Sequence, residues 1–142
     1  MASFVYNSYK AKLFSLANSV NLATDTIKVM LTTSAYVPDQ DNHAFINQVT
    51  SEVVGAGYVA GGSALANKTV TQDNTNDKGV FDADDVTWAN STITARYAVV
   101  YKDTGTPATA PLICVFDFGS DKISTGGPFT ITWAAAGILT VA

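Results

Sequence analysis

Past residue 62 this chain is a succession of short apolar and Thr-rich runs, and no helix-length segment separates them. The runs are Ala64 to Gln72, Gly79 to Phe81, Val86 to Trp88, Thr92 to Lys102, Leu112 to Phe118, Phe129 to Trp133 and Ile138 to Val141. They are cut at Asp73-Asn74-Thr75-Asn76-Asp77, Asp103-Thr104-Gly105-Thr106-Pro107 and Ser124-Thr125-Gly126-Gly127-Pro128, which are turn formers. Short strands at regular spacing imply an antiparallel β-sandwich or barrel-like domain; βαβ units would need helices between the strands. Upstream, Ile27, Val29 and Leu31 alternate with Thr26, Lys28, Met30 and Thr32, the two-residue period of a half-buried strand. The fold class is therefore mainly β, as a single domain over 1–142, because one core suffices for 142 residues and no linker divides them.

Two segments depart from the strand pattern. From Phe4 to Asn18, Tyr6, Tyr9, Leu13, Phe14, Leu16 and Ala17 recur at near-helical spacing, which predicts one short amphipathic helix. Residues Gly55 to Gly62 hold four of the ten glycines and predict a loop whose backbone bends sharply or passes close to something. A small echo relates Ala66-Asn67-Lys68-Thr69-Val70-Thr71 to Ala89-Asn90-Ser91-Thr92-Ile93-Thr94, read as two strands that begin alike.

Charge narrows the function. Only 14% of residues are charged against about 25% in an average protein, so Ser, Thr, Asn and Gly must cover much of the surface. Such a surface costs little to desolvate under another protein, which suits a subunit of an assembly. The net charge is −4 and the eight Lys and Arg are scattered singly, so no basic patch for nucleic acid or an anionic membrane arises from sequence neighbours. The longest uncharged apolar stretch, Trp133 to Ala142, is too short to span a bilayer. The first residues lack the n-region and long apolar run of a signal peptide, so a cytoplasmic site of synthesis is expected.

Groups able to do chemistry are few. His43, the one histidine, lies in the polar stretch Asp39 to Ala44 and reads as a solvated loop residue; Cys114, the one thiol, lies in Leu112-Ile113-Cys114-Val115-Phe116 and reads as buried and inert. Val53 to Gly61 imitates a dinucleotide-binding turn, but a strand-like run follows it where a helix would be needed, so no cofactor is expected. Asp82, Asp84 and Asp85, with Asp73 and Asp77, form the densest acidic pool; solvated turns explain them more simply than calcium or a pair of glycosidase carboxylates. No catalytic and no metal residues are assigned. Trp88, Phe116, Phe118, Phe129 and Trp133 read as core. The candidate partner interface is Phe4, Tyr6 and Tyr9 beside Gly55, Gly57 and Tyr58; for the N-terminal aromatics the alternative, packing on the domain's own sheet, comes first.

Tyr6-Asn7-Ser8-Tyr9-Lys10, Leu22 to Leu31 with Ser34-Ala35-Tyr36, and Val80 to Trp88 give the chain a recognisable signature, extended by Ala95 to Gly105 and Phe129 to Trp133. In these stretches it resembles a family of small tailed-phage and prophage virion structural proteins of head-decoration or cement type. The resemblance implies a non-enzymatic role on the capsid exterior, with the major capsid protein and further copies of the chain, as trimers or dimers, for partners. A tail, baseplate or fibre component is the alternative. None of these stretches is a catalytic signature, so no functional residue follows from the resemblance.

Overall fold

The computed structural model describes residues 3–15 and 20–142. Eight strands form two antiparallel sheets: β1 (Phe4–Val5), β2 (Ile27–Thr32), β3 (Ser63–Ala64), β4 (Thr69–Asp73), β5 (Lys78–Asp82), β6 (Val86–Lys102), β7 (Leu112–Ile131) and β8 (Leu139–Val141). The larger sheet runs β1-β7-β6-β2-β3 and the smaller β4-β5-β8. This is a β-sandwich-like domain; both sheets keep free edges, so the barrel alternative falls. One α-helix, α1 (Asn7–Lys12), and two single 3₁₀ turns, at Ile46–Gln48 and Pro107–Thr109, complete the described elements.

The larger sheet is buried on both faces at its centre. Ile27, Val29 and Leu31 of β2 join Ala98 and Val100 of β6 and Ile113 and Cys114 of β7 in one core, which Phe81 of β5 and Ile138 also enter. On the opposite face Met30, Tyr97, Val99, Tyr101, Leu112 and Val115 pack with Tyr6, Tyr36, Ile46 and Ala110. The strand expected to be half-buried is thus covered on both sides, with only Lys28 partly open in β2. A strand covered on both faces reads as a continuous apolar run, which is what Ala98-Val99-Val100-Tyr101 is.

The largest correction concerns strand length. Val86–Trp88 and Thr92–Lys102 are one strand of 17 residues, and Leu112–Phe118 and Phe129–Trp133 belong, up to Ile131, to one strand of 20. The supposed break at Ser124–Pro128 lies inside β7, and the echo at Ala89–Thr94 lies inside β6 instead of starting a strand. Bulges make this possible. Trp88 pairs with Phe129, Ser91 with Gly127 and Ile93 with Ser124, so the two strands slip past each other twice and Pro128 needs no ladder donor. A second irregularity opens between Ala95/Lys122 and Tyr97/Asp117, where residues 118–121 of β7 stand opposite Arg96 alone.

Two buried serines stitch the first irregularity. Ser124 Oγ accepts from the Ile93 amide at 3.2 Å and lies 2.8 Å from Ser91 Oγ. Ser91 Oγ in turn reaches the carbonyls of Gly127 (3.0 Å) and Trp88 (3.1 Å), so side-chain hydroxyls replace the missing ladder bonds. We expect Ser124→Ala to leave the Ile93 amide and Ser91 short of a partner and to cost about 1–3 kcal/mol, read as a lower midpoint in urea unfolding followed by tryptophan fluorescence.

Candidate functional site

The glycine-rich loop is held down by hydroxyls and one carboxylate. The Leu31 amide donates to Tyr58 Oη (3.0 Å), Tyr58 donates to Glu52 Oε1 (2.8 Å), and the same oxygen accepts the Gly61 amide (2.6 Å). Tyr101 donates to the Gly61 carbonyl at 2.6 Å. Burial first, and then the neighbouring Glu52 carboxylate, pushes the Tyr58 hydroxyl far up from its ordinary range, so it stays a proton donor. Burial, with help from Asp103 and Glu52, pushes Tyr101 up to about 12. Gly55 and Gly57 lie where a Cβ would collide with the carbonyls of Thr92 and Asn90, and Gly62 where it would meet that of Val29. The glycines therefore serve close packing of the loop on β6 and β2, and Tyr58 packs against Trp88 with ring centroids 5.8 Å apart. What this leaves outward is Val54, 97% exposed, and Val59, 73% exposed, neither of which the sequence reading singled out.

The N-terminal aromatics are spent within the chain, as the internal-packing alternative had it. Phe4 and Val5 pair with Val115 and Cys114 of β7, so these residues are strand and α1 starts only at Asn7. The expected helix from Phe4 to Asn18 is six residues long; its Leu16 to Asn18 portion lies outside the described residues. Standing at the edge of the larger sheet, α1 and the residue before it send Tyr6 into one core and Tyr9 into the other, and both are buried. Tyr6 Oη lies 2.9 Å from Tyr36 Oη, and Phe4 meets the Tyr6 ring edge-on at 5.3 Å. Tyr6 thus offers no surface to a partner and Tyr9, 3% exposed, only its edge in a depression shared with Leu13, whereas Leu13 and Phe14, immediately after α1, are 50% and 94% exposed.

Reactive groups are likewise engaged. His43 is half-buried and not a solvated loop residue: its ring stacks on Tyr36 at 5.8 Å, and Nδ1 lies 3.0 Å from Tyr36 Oη and 3.3 Å from the Asp39 amide. Cys114 is buried, and burial pushes its thiol up to about 12. Asp73 caps its own turn through the amides of Thr75 and Asn76; Asp84 accepts from Asn67 and Asp85 from the Trp133 amide. Among the described residues no group of three His, Cys, Asp or Glu side chains stands close enough to hold a metal ion. Asp117 is gripped by Arg96, with Nε–Oδ1 at 2.6 Å and a second contact at 3.2 Å, and also accepts the Gly119 amide inside the β7 irregularity.

Two of the concave surfaces adjoin these elements. A shallow depression of about 510 Å³ lies between Leu13, the stretch Val20 to Ala23, and Val70 of edge strand β4, which is 57% exposed. A second, of about 400 Å³, lies over the Tyr101 face of the larger sheet, between the glycine-rich loop and the 103–110 turn. Its floor is apolar, and Lys28 is paired to Asp103 at 2.7 Å on its rim. No described helix is long and apolar enough to cross a membrane. In comparisons with known proteins, no family model, curated protein or solved structure matches the chain.

The Arg96 contact holds the Asp117 carboxyl down at about 2, below the usual value near 3.9 for an unfolded chain. A lowered carboxyl stabilises the fold above the unfolded value and loses that contribution as pH falls from about 4 through 2. Asp117→Asn should therefore lower the melting temperature at pH 7, with the gap to the parent closing across that acid window in differential scanning fluorimetry. Tyr58→Phe should cost about 1–3 kcal/mol, because the buried Leu31 amide loses its acceptor; hydrogen exchange at Leu31 and Gly61 reads the effect directly.

Proposed function

We propose that this chain is a non-enzymatic structural protein of a tailed-phage particle, acting as a decoration protein that cements the outside of the head shell. What carries the reading is the exposed apolar depression flanked by Leu13 and Val70, with Phe14 beside it in the chain. Apolar side chains of this size seldom stand open together on a lone subunit; contiguous patches mark surfaces that another protein covers. They border β4, an edge strand whose free backbone groups extend the same surface.

Three further features agree with it. The framework is rigid, since the central strands are packed on both faces. The residues with catalytic capacity named above are tied into turns, cores or ion pairs. The low charge content keeps the desolvation cost of a large contact small. The family resemblance in Tyr6–Lys10, Leu22–Leu31 and Val80–Trp88 supplies the phage context. In that context the major capsid protein and further copies of the chain, around a symmetry axis, are the partners.

Cryo-electron microscopy of the intact particle tests this. Density for the chain in regular array over the head is the expected result, and replacing Leu13 and Phe14 together by Asp should abolish that density while the melting temperature of the free protein changes little. Density on the tail alone would assign the chain to tail or baseplate assembly, and its absence from the particle would overturn the structural reading.

A further inference from the structure

The cleft over Tyr101 has a charge pattern that the decoration reading does not use. Met30, Ile46, Val49 and Ala110 form an apolar trough, and Met30, Ile46 and Ala110 are themselves buried. Three charged residues line it: Lys28, Asp103 and Glu52. Lys28 and Asp103 neutralise each other at 2.7 Å, which leaves the Glu52 carboxylate as the one uncompensated charge. Only half of that carboxylate is used. Oε1 takes both the Tyr58 hydroxyl and the Gly61 amide, and Oε2 accepts no hydrogen bond from the described residues. Glu52 is bridged to Thr32, four residues along β2 from Lys28, a backbone separation of about 13 Å.

We infer that this cleft receives a lysine side chain of a partner polypeptide, its methylene stem lying on the Met30–Val49 trough and its ammonium on Glu52. An amphipathic occupant matches an amphipathic trough, because a lysine stem is apolar while its head is a compact cation. One free acceptor oxygen suits the ammonium point charge; an arginine fork would need both oxygens of the carboxylate to bind through two parallel hydrogen bonds. A single ammonium also brings the charge of the cleft to zero, whereas a second cation would have to displace Lys28 from Asp103. The inference is independent of where the protein resides and would hold for any assembly it enters.

The test is an NMR titration of the full chain with Nα-acetyl-lysine N-methylamide, using the norleucine and arginine counterparts as controls. Saturable amide shifts at Met30, Val49, Gly61 and 103–110 are expected for the lysine compound, with a dissociation constant of about 1–10 mM. Glu52→Gln keeps an acceptor for Gly61 and Tyr58 and should weaken binding about tenfold or more at an unchanged fold. Val49→Trp, which fills the trough and leaves the carboxylate, should abolish the shifts. The inference is overturned if the norleucine or arginine compound binds as tightly, if Glu52→Gln binds within twofold of the parent, or if no saturable shift occurs at these amides.

Discussion

The structure depends on the pairing of β6 with β7. These strands, 17 and 20 residues long, form the centre of the larger sheet over one half of their length and a ribbon over the other. In the central half both faces are dry, so residues such as Ala98, Val99 and Val100 are each buried whichever way they point. In the ribbon half the burial alternates: Val86, Trp88, Ile93 and Ala95 face the core while Thr87, Thr92 and Thr94 face out. The unequal lengths are absorbed mainly at the Asp117–Arg96 knot, while the Ser91/Ser124 stitch covers a slip of register that is restored by Ile93. Each replaces lost ladder bonds with side-chain bonds, which keeps the buried backbone satisfied.

The glycine-rich loop and the N-terminal segment are pinned to this sheet by a small number of polar contacts. The loop at residues 53–62 is locked by Glu52, Tyr58 and Tyr101, and its glycines let backbone approach backbone where a methyl group would not fit. On the opposite side of the β7 edge, Tyr6, Tyr36 and His43 form a second hydroxyl-and-imidazole chain that ties the N-terminal strand to the 36–43 turn. Both networks place polar atoms inside apolar surroundings, where a satisfied bond holds a unique geometry and an unsatisfied one is costly. One consequence is that the tyrosines, which are amphipathic enough to serve as interface anchors, are consumed internally. Among the described residues, the large apolar side chains left exposed are aliphatic or sit just past a helix end: Val37, Val54, Val59, Val70, Ile123 and Val141, with Leu13 and Phe14.

Much of this was legible in residue patterns. The β class, the strand at Ile27–Thr32, the buried Cys114 and the packing of Trp88, Phe129 and Trp133 all follow from apolar period and run length. Strand boundaries did not follow, because Gly126, Gly127 and Pro128 signal a turn wherever they occur, and only the partner strand opposite decides whether a bulge can absorb them. His43 was misjudged for a similar reason. Its sequence neighbours are polar, but its stacking partner Tyr36 lies across a turn. Of the candidate interface, Tyr6 and Tyr9 have the same aromatic character in either role, and burial against β7 is a tertiary outcome that no local period encodes.

The sequence alone set the β class, the turns at residues 73–77 and 103–107, how little charge the chain carries and how few reactive groups it has. Tertiary structure alone decided which apolar residues are covered, which carboxylate remains open, and that two long bulged strands replace four short ones. The physical reason is that propensity and periodicity act within a few residues. Burial and the satisfaction of backbone groups are settled between segments as far apart as Ser91 and Ser124 or Glu52 and Tyr101, and the free energy of those long-range contacts overrides the local signal.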